Sequence, residues 1–479
     1  MTPIELQDVQ GFIISEYSNM SYTRYLMLQV TQPGPAKAFI KDIATGITSV
    51  DLPAAANKCL NIAFTYPGLK ALGLSYNNLN TFVREFREGM VTPHRQRLLG
   101  DFDSSDPQGW QWGGPKNDEV HIMLLIFGSD KGTAIAYYDD LCSKLNESGL
   151  KEVFHIDGQI LPGNKEHFGF RDGIAQPFIK GSGFSGKESD NLNAGEFLMG
   201  YKSEYGVYPD TPFLSEPQGT ISMLHDDAAG SGKKDLGRNG TYLVLRQLQE
   251  DVKGYWTFLN EKTKNDDGTV NVKASKKLGA KMMGRWQSGA PIVKWPDEDP
   301  VEKYPNEDPE KYINDNDFFY NDTDKHGMKC PFGAHARRLN PRDSFEENTH
   351  KESVLLSNRH RIIRRARPYG DPIVGSPTNF TPSGDVGILF GCFNADISRQ
   401  FEFLQYTWAN YPKFKQLFND PDPFIGVKEN PAEGMEQVFT MPDHPANKYV
   451  TGIKRFVHVK GGAYFFFPSL TVIKYLTTI

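Results

Sequence analysis

The stretch "TYLVLRQLQEDVKGYWTFL", residues 241 to 259, holds two periodicities in nineteen residues. Its first eight residues, "TYLVLRQL", form an apolar run of strand length. Val252, Tyr255, Trp256 and Leu259 then fall at i, i+3, i+4 and i+7, one face of a helix. This strand-then-helix unit recurs. "YLMLQV", 25 to 30, is followed by Ala36, Phe39, Ile40 and Ile43. "VHIMLLIF", 120 to 127, is followed by Ala134, Tyr138, Leu141 and Leu145. "VGILFGCF", 386 to 393, is followed by Ile397, Phe401, Leu404 and Trp408. Two units fall in each half, and "LNIAFT" (60 to 65) and "YFFFPS" (464 to 469) add one apolar strand candidate apiece. The pattern implies two similar α+β domains, with helices packed on mostly antiparallel sheets.

Bulk properties agree. A chain of 479 residues exceeds one ordinary core, so two domains are expected. A hydrophobic content of 38% marks a globular chain. A net charge of -6 over this length gives no field that would attract nucleic acid or an anionic membrane. The longest clean apolar run, "IMLLIF" at 122 to 127, is far short of a membrane span. Cys59, Cys142, Cys330 and Cys392 are widely spaced and form no CxxC pair, which points to a reducing compartment. "MTPIELQDVQGF" lacks the basic and apolar regions of a secretory signal. A cytoplasmic protein is expected, with export by a signal-independent route left open.

The irregular stretches are read as loops. Residues 296 to 325 carry many acids and four prolines, the composition of a solvated surface loop. They lack the glycine and closing glutamate of a calcium-binding EF-hand. "GSGFSGKE", 181 to 188, resembles a phosphate loop, but Glu188 stands where a hydroxyl is needed and no amphipathic helix follows. It reads as a flexible glycine loop.

The chemistry lies in three other segments. "HFGFRDGIAQPF", 167 to 178, sets Asp172 among Phe168, Phe170 and Ile174 on a backbone loosened by Gly169 and Gly173. "CPFGAHARRLNPRD", 330 to 343, places His335 at the start of a short helical run that Pro341 stops. "NRHRIIRRARPYG", 358 to 370, is arginine-rich, and the bland reading is a solvated basic face. In extended form it sets Ile362, Arg364 and Ala366 on one face and Arg361, Ile363, Arg365 and Arg367 on the other. Arg364 then points inward and needs an anion or acceptors. One imidazole, an inward arginine, spare arginines and a carboxylate in apolar company suit a flat dianionic cofactor, of which haem is the obvious one.

These residues resemble a family. "GFRDG", 169 to 173, matches the GxxDG motif of the dye-decolourising (DyP-type) haem peroxidases. "PFGAHARRLNPR" and "HRIIRRARPYG" look like their proximal-histidine and distal-arginine segments. "DVQGFI", "NGTYLVLRQLQEDV" and "GGAYFFFPS" extend the likeness over nearly the whole chain. The resemblance implies two ferredoxin-like domains, each a mostly antiparallel sheet with packed helices, of the dimeric α+β barrel type. Residues 1–200 would form the N-terminal domain with the GxxDG loop, and residues 201–479 the haem-binding C-terminal domain. It implies one haem b per chain, with His335 as iron ligand, Asp172 as distal acid-base and Arg364 as distal charge stabiliser. Arg342 would meet a propionate, and Ile174, Gln176, Ile388 and Phe390 would contact the cofactor. Ile388 replaces the commoner leucine, and "RRARP" departs from the commoner glycine-containing turn.

The implied activity is reduction of hydrogen peroxide through compound I, with oxidation of dyes, phenols or other bulky aromatic reductants, by a monomer or homo-oligomer. An aspartate base implies an acidic pH optimum, since its ordinary pKa is about 3.9. His167 and His360 are rival ligands. The axial imidazole needs an acceptor for its second N–H, for example a carboxylate on the fourth helix such as Glu402. Two other readings remain at this point: a haem-handling protein with incidental turnover, and a cofactor-free protein whose arginines bind another anion.

Overall fold

The computed structural model describes residues 3–50, 56–345, 349–373, 375–376, 379–380, 384–427 and 437–479. The N-terminal half runs strand β1 (Tyr22–Val30), helix α1 (Pro33–Ile43), β2 (Lys58–Phe64), β3 (Ile122–Gly128), α2 (Lys131–Ser143) and β4 (Leu150–Gln159). The C-terminal half repeats the plan. Strand β5 (Thr241–Glu250) feeds helices α3 (Val252–Thr263) and α4 (Val272–Met283). A split strand follows, β6 (Ile363–Arg364) and β7 (Arg367–Tyr369), then β8 (Gly387–Asn394). Two π-helical segments, Ser398–Glu402 and Leu404–Asn410, lead to the last strand, β9 (Val457–Phe467).

Within each half the strands pair in the same antiparallel order, β2-β3-β1-β4 and β7-β8-β5-β9. Each half is therefore a ferredoxin-like βαββαβ unit. The two sheets then join edge to edge. Phe466 of β9 pairs with Phe64 of β2, and Gly158 of β4 pairs with Tyr369 of β7, closing a barrel. Closure leaves these strands no open edge.

Strand alternation fixes what lies inside. Tyr25, Met27, Leu125, Phe127, Leu243, Leu245, Leu389, Phe393 and Phe465 fill the interior, which the N-terminal helix residues Phe12 and Ile13 plug. Arg365 and Arg367 also turn inward. They donate to Phe12 O, Ile13 O, Ile14 O and Glu16 O, the carbonyls that a short helix leaves open at its C-terminal end. On the outer face of the N-terminal sheet, Leu26, Leu60, Ile62 and Leu124 pack against Ala36, Phe39, Ile40 and Ile43 of α1. The outer face of the C-terminal sheet carries Arg246, Leu248, Glu250, Ile388 and Phe390. These line a cavity, not a core.

All four helical stripes read from the sequence are buried, except that Tyr138 is only partly so. Two expectations need correction. Residues 296 to 325 are not merely a solvated loop. They form three short helices, Pro300–Lys303, Glu310–Ile313 and Tyr320–Thr323, and bury Tyr312 and Tyr320 against Trp286 and Ile292. The acids face water while the interspersed aromatics make a small core. Strand β4 was not expected, because "LKEVFHIDGQ" is too polar to alternate. Nine backbone pairs to β1 and the Arg24–Asp157 ion pair at 2.7 Å hold it.

Trp112 joins the halves: 1% exposed, it stacks on Phe154 of β4 and donates to Gln247 of β5 at 2.9 Å. Trp112→Ala should lower the unfolding free energy by about 3–5 kcal/mol, measured as a shift in denaturant midpoint. A loss below about 1 kcal/mol would show that the interior closes without it.

Candidate active site

Asp172 sits on a tight hairpin. Glu166 N donates to Phe170 O at 2.9 Å, Gly169 N to Glu166 O at 2.9 Å, and Asp172 N to Asn164 O at 2.8 Å. Two turns need glycine: Gly169 has φ +97° and Gly173 has φ +79°. The hairpin carries Asp172, Ile174 and Phe170 to the cavity wall.

Arg364 arrives from the opposite half. Strand β6 breaks after it, and Arg365 N reaches Gly391 O at 2.7 Å before β7 resumes. As the alternation required, Ile362, Arg364 and Ala366 face the cavity. Arg361 does too, against expectation, because it precedes the strand proper and turns to Asp190 at 3.2 Å and Ala175 O at 2.7 Å. Arg364 Nη1 donates to Asp172 Oδ1 at 3.2 Å, and Nη2 to Ile174 O at 2.7 Å. Gln176 is absent from the cavity lining. Its Oε1 accepts from the backbone N of Arg364 at 3.1 Å and so fixes the strand.

Across the cavity His335 opens helix α5 (His335–Leu339). Arg338, fully buried, donates to Trp408 O and Tyr411 O, each at 2.6 Å, and to Asp420 O, which pins the helix. His335 Nδ1 lies 2.9 Å from Asp422 Oδ2. The other oxygen of Asp422 accepts from Phe424 N at 2.9 Å and Ile425 N at 3.0 Å. Burial alone would raise the Asp422 pKa. The charge and hydrogen bond of His335, with Arg338 and the amide of Ile425, outweigh it and hold the pKa at about 2. An ionised Asp422 accepts a hydrogen bond from Nδ1–H, and Nε2 is left without a hydrogen-bond partner among the described residues. That is how metal-binding imidazoles are usually held.

Asp422 corrects the expectation of Glu402, which is buried elsewhere with Arg95 and Tyr464. Nothing in "NDPDPF" marks a histidine partner; its prolines read as a turn. Neither rival histidine lines the cavity. His167 Nε2 meets Tyr369 O at 2.8 Å, and His360 bonds Arg399 O and stacks on Phe403.

One wall is cationic. Arg342 donates to Asn316 O at 2.9 Å and Phe318 O at 2.7 Å, and lies over the Phe318 ring. It has no carboxylate in ion-pair range among the described residues. Beside it Arg285 is pushed down to about 10, by burial and then by the charge of Arg342. Arg361 pairs with Asp190 and Arg364 with Asp172, whereas Arg285 and Arg342 have no carboxylate in ion-pair range among the described residues. Two uncompensated guanidiniums on one wall fit a dianionic group. Ile174, Leu248, Met283, Ile388, Phe390 and Phe424 supply apolar walls. The residues present thus fit haem: a free imidazole nitrogen, spare guanidiniums and a greasy slot.

Comparison with known proteins agrees. No family model matches the chain. A dye-decolorizing peroxidase of Mycena epipterygia is 30% identical over 442 residues, spanning 86% of this chain and 74% of that one. The structure of an ancestral D-type dye decolorizing peroxidase superposes with a TM-score of 0.76 at 26% identity, covering all of both chains. A dye-decolorizing peroxidase in complex with 2,6-dimethoxyphenol gives a TM-score of 0.78 at 25% identity, covering 99% of this chain and 100% of that one. The chain belongs to the dye-decolorizing peroxidase family, and is a hydrogen-peroxide-dependent oxidoreductase of that haem-dependent family.

The hairpin can be tested through its glycines. Nothing lies within 4 Å of a Cβ added at Gly173, whereas one at Gly169 meets Gln287 Nε2 at 2.8 Å. Gly173→Ala should cost about 1–2 kcal/mol of stability from its φ alone, and Gly169→Ala measurably more. Equal melting temperatures for both variants and the parent would refute the strained-turn account.

Proposed function

We propose that this peroxidase holds one haem b per chain, with His335 as iron ligand and Arg342 beside the propionates, and oxidises phenols, dyes or similar bulky aromatics. The observation that carries this reading is the cavity itself. An imidazole oriented by an ionised aspartate faces it from one side, and the Asp172–Arg364 pair faces it from the other. When bound between His335 and the Asp172–Arg364 pair, the cofactor would supply the redox-active iron at which peroxide is reduced. The complex of a related enzyme with 2,6-dimethoxyphenol supports a phenolic reductant. A division at 200/201 is part of the reading, since it falls between the two βαββαβ units. Four free cysteines, three of them buried, favour the cytoplasm. Among the described residues no helix is long and apolar enough to cross a membrane.

The side chains divide the work. Arg364 occupies Oδ1 of Asp172, so Oδ2 is the oxygen open to a peroxide proton. Asp172 holds that proton and returns it to the departing oxygen, acting as base and then acid. Arg364 keeps its charge throughout and offsets the negative charge growing on that oxygen. Ile388 and Phe390 give apolar wall to the cavity that Asp172 also lines. Asp422 fixes the His335 tautomer and ring angle.

Three variants test the roles. Asp172→Asn should slow peroxide consumption by about 10²–10⁴-fold while haem still binds, and Arg364→Leu should also slow it. A haem-handling protein would bind haem and show no such dependence. Asp422→Asn should weaken haem affinity about 10–100-fold by spectral titration. Unchanged affinity would remove His335 from its assigned place.

A further inference from the structure

Two carboxyl groups on the cavity wall take no part in the mechanism above. Glu166 opens the hairpin that carries Asp172, and Glu250 ends β5. Successive amides of the hairpin, His167 N and Phe168 N, bind Glu250 and Glu166 respectively, which sets the two carboxyls side by side, each influencing the other's titration. Phe168 N and Phe170 N donate to Glu166 at 2.8 and 2.7 Å, and His167 N donates to Glu250 at 3.2 Å. Glu250 is 7% exposed. The strongest electrostatic influences on the pair are burial, each other, Asp172 and these amides, with no cation among them.

The groups that face the pair do not relieve it. Asp172 adds a third carboxylate from the same hairpin. Tyr255 of α3 has a buried hydroxyl without a hydrogen bond, and burial first, then Glu166, pushes its pKa up. Tyr369 of β7 is raised chiefly by burial and by Asp385, with Glu250 adding to it. The His167 ring turns away to Tyr369 O. A buried Glu250 beside a half-buried Glu166, with no cation among the strongest influences on either, shares a proton with it instead of both ionising.

We infer that Glu166 and Glu250 form a proton-sharing pair that feeds protons to Asp172 during turnover. The inference rests on the peroxidase reading above. Reduction of peroxide consumes H2O2 + 2 e⁻ + 2 H⁺ and gives 2 H2O, while each phenol ArOH gives ArO•, one electron and one proton. A reductant too large for the cavity releases its proton outside. Electrons can cross packed protein, but protons need a chain of exchangeable groups. Glu250 passes its proton through Glu166 to Asp172, Asp172 passes it to the peroxide-derived oxygen, and solvent reprotonates the pair. The same pair staples the Asp172 hairpin to β5.

Burial raises both pKa values above the ordinary glutamate range; the charge of Glu166 adds to this for Glu250, and the charge of Asp172 adds to it for Glu166. A raised carboxyl keeps its proton at acidic pH and loses it as pH climbs. The support the pair gives to turnover and to folding is thus present on the acidic side and lost on the alkaline side.

Glu250→Gln separates the proton from the staple, because the amide still donates to Glu166 and accepts from His167 N. In infrared spectra of the full chain, with and without haem, the parent should show the C=O stretch of a protonated carboxyl that fades as pH rises. E250Q should lack it. With a bulky dye as reductant, haem-loaded E250Q should turn over about 10²-fold more slowly and lose the alkaline decline, and Glu250→Asp should recover most of the rate. An infrared band unchanged in E250Q, or an E250Q rate and pH profile matching the parent, overturns the inference. A normal peroxide rate in Asp172→Asn would instead bring down the functional reading, and the infrared band, read without haem, keeps the two failures apart.

Discussion

The site depends on one constraint: a guanidinium facing an enclosed cavity must meet an anion or acceptors that its own strand cannot supply. Arg364 meets it with Asp172 and Ile174 O, both from a hairpin that follows the other half of the chain. The hairpin must therefore dock on the C-terminal sheet. That docking brings Asp172 above the apolar slot and Glu166 against Glu250. Barrel closure at Phe466–Phe64 and Gly158–Tyr369 keeps the two halves in register for it.

The second pole is the ionised Asp422. A buried carboxylate survives there because His335, Arg338 and two backbone amides share its charge. Its effect is directional. It engages His335 Nδ1 and leaves Nε2 without a hydrogen-bond partner among the described residues, on a ring that lines the cavity. The arginine surplus acts differently, since Arg285, Arg342, Arg361 and Arg364 repel one another until a dianion arrives. Binding a dianion and relieving this repulsion are the same event.

Much of this was legible in the sequence, for physical reasons. The α1 and α3 stripes bury one full face, so their spacing survives intact in the structure. Alternation told which residues of the run share a face: Ile362, Arg364 and Ala366 line the cavity, but the opposite face, with Arg365 and Arg367, is the buried barrel interior and not solvent. It failed at Arg361, where the strand has not begun. Strand β4 was illegible because backbone pairing, not an apolar face, holds it. Asp422 was invisible for a related reason: its partner lies 87 residues away, and only the fold brings them together. Glu250 carried no signal in the sequence, because only the fold brings it beside the hairpin amide of His167.

The most direct test of the central claim is the iron–histidine stretch of the haem-loaded, ferrous protein by resonance Raman, measured for the parent and for Asp422→Asn. The account predicts a band in the parent that moves to lower frequency in the variant, because the imidazole loses its anionic partner. Absence of any iron–histidine band, or a band at the same frequency in both proteins, would contradict it.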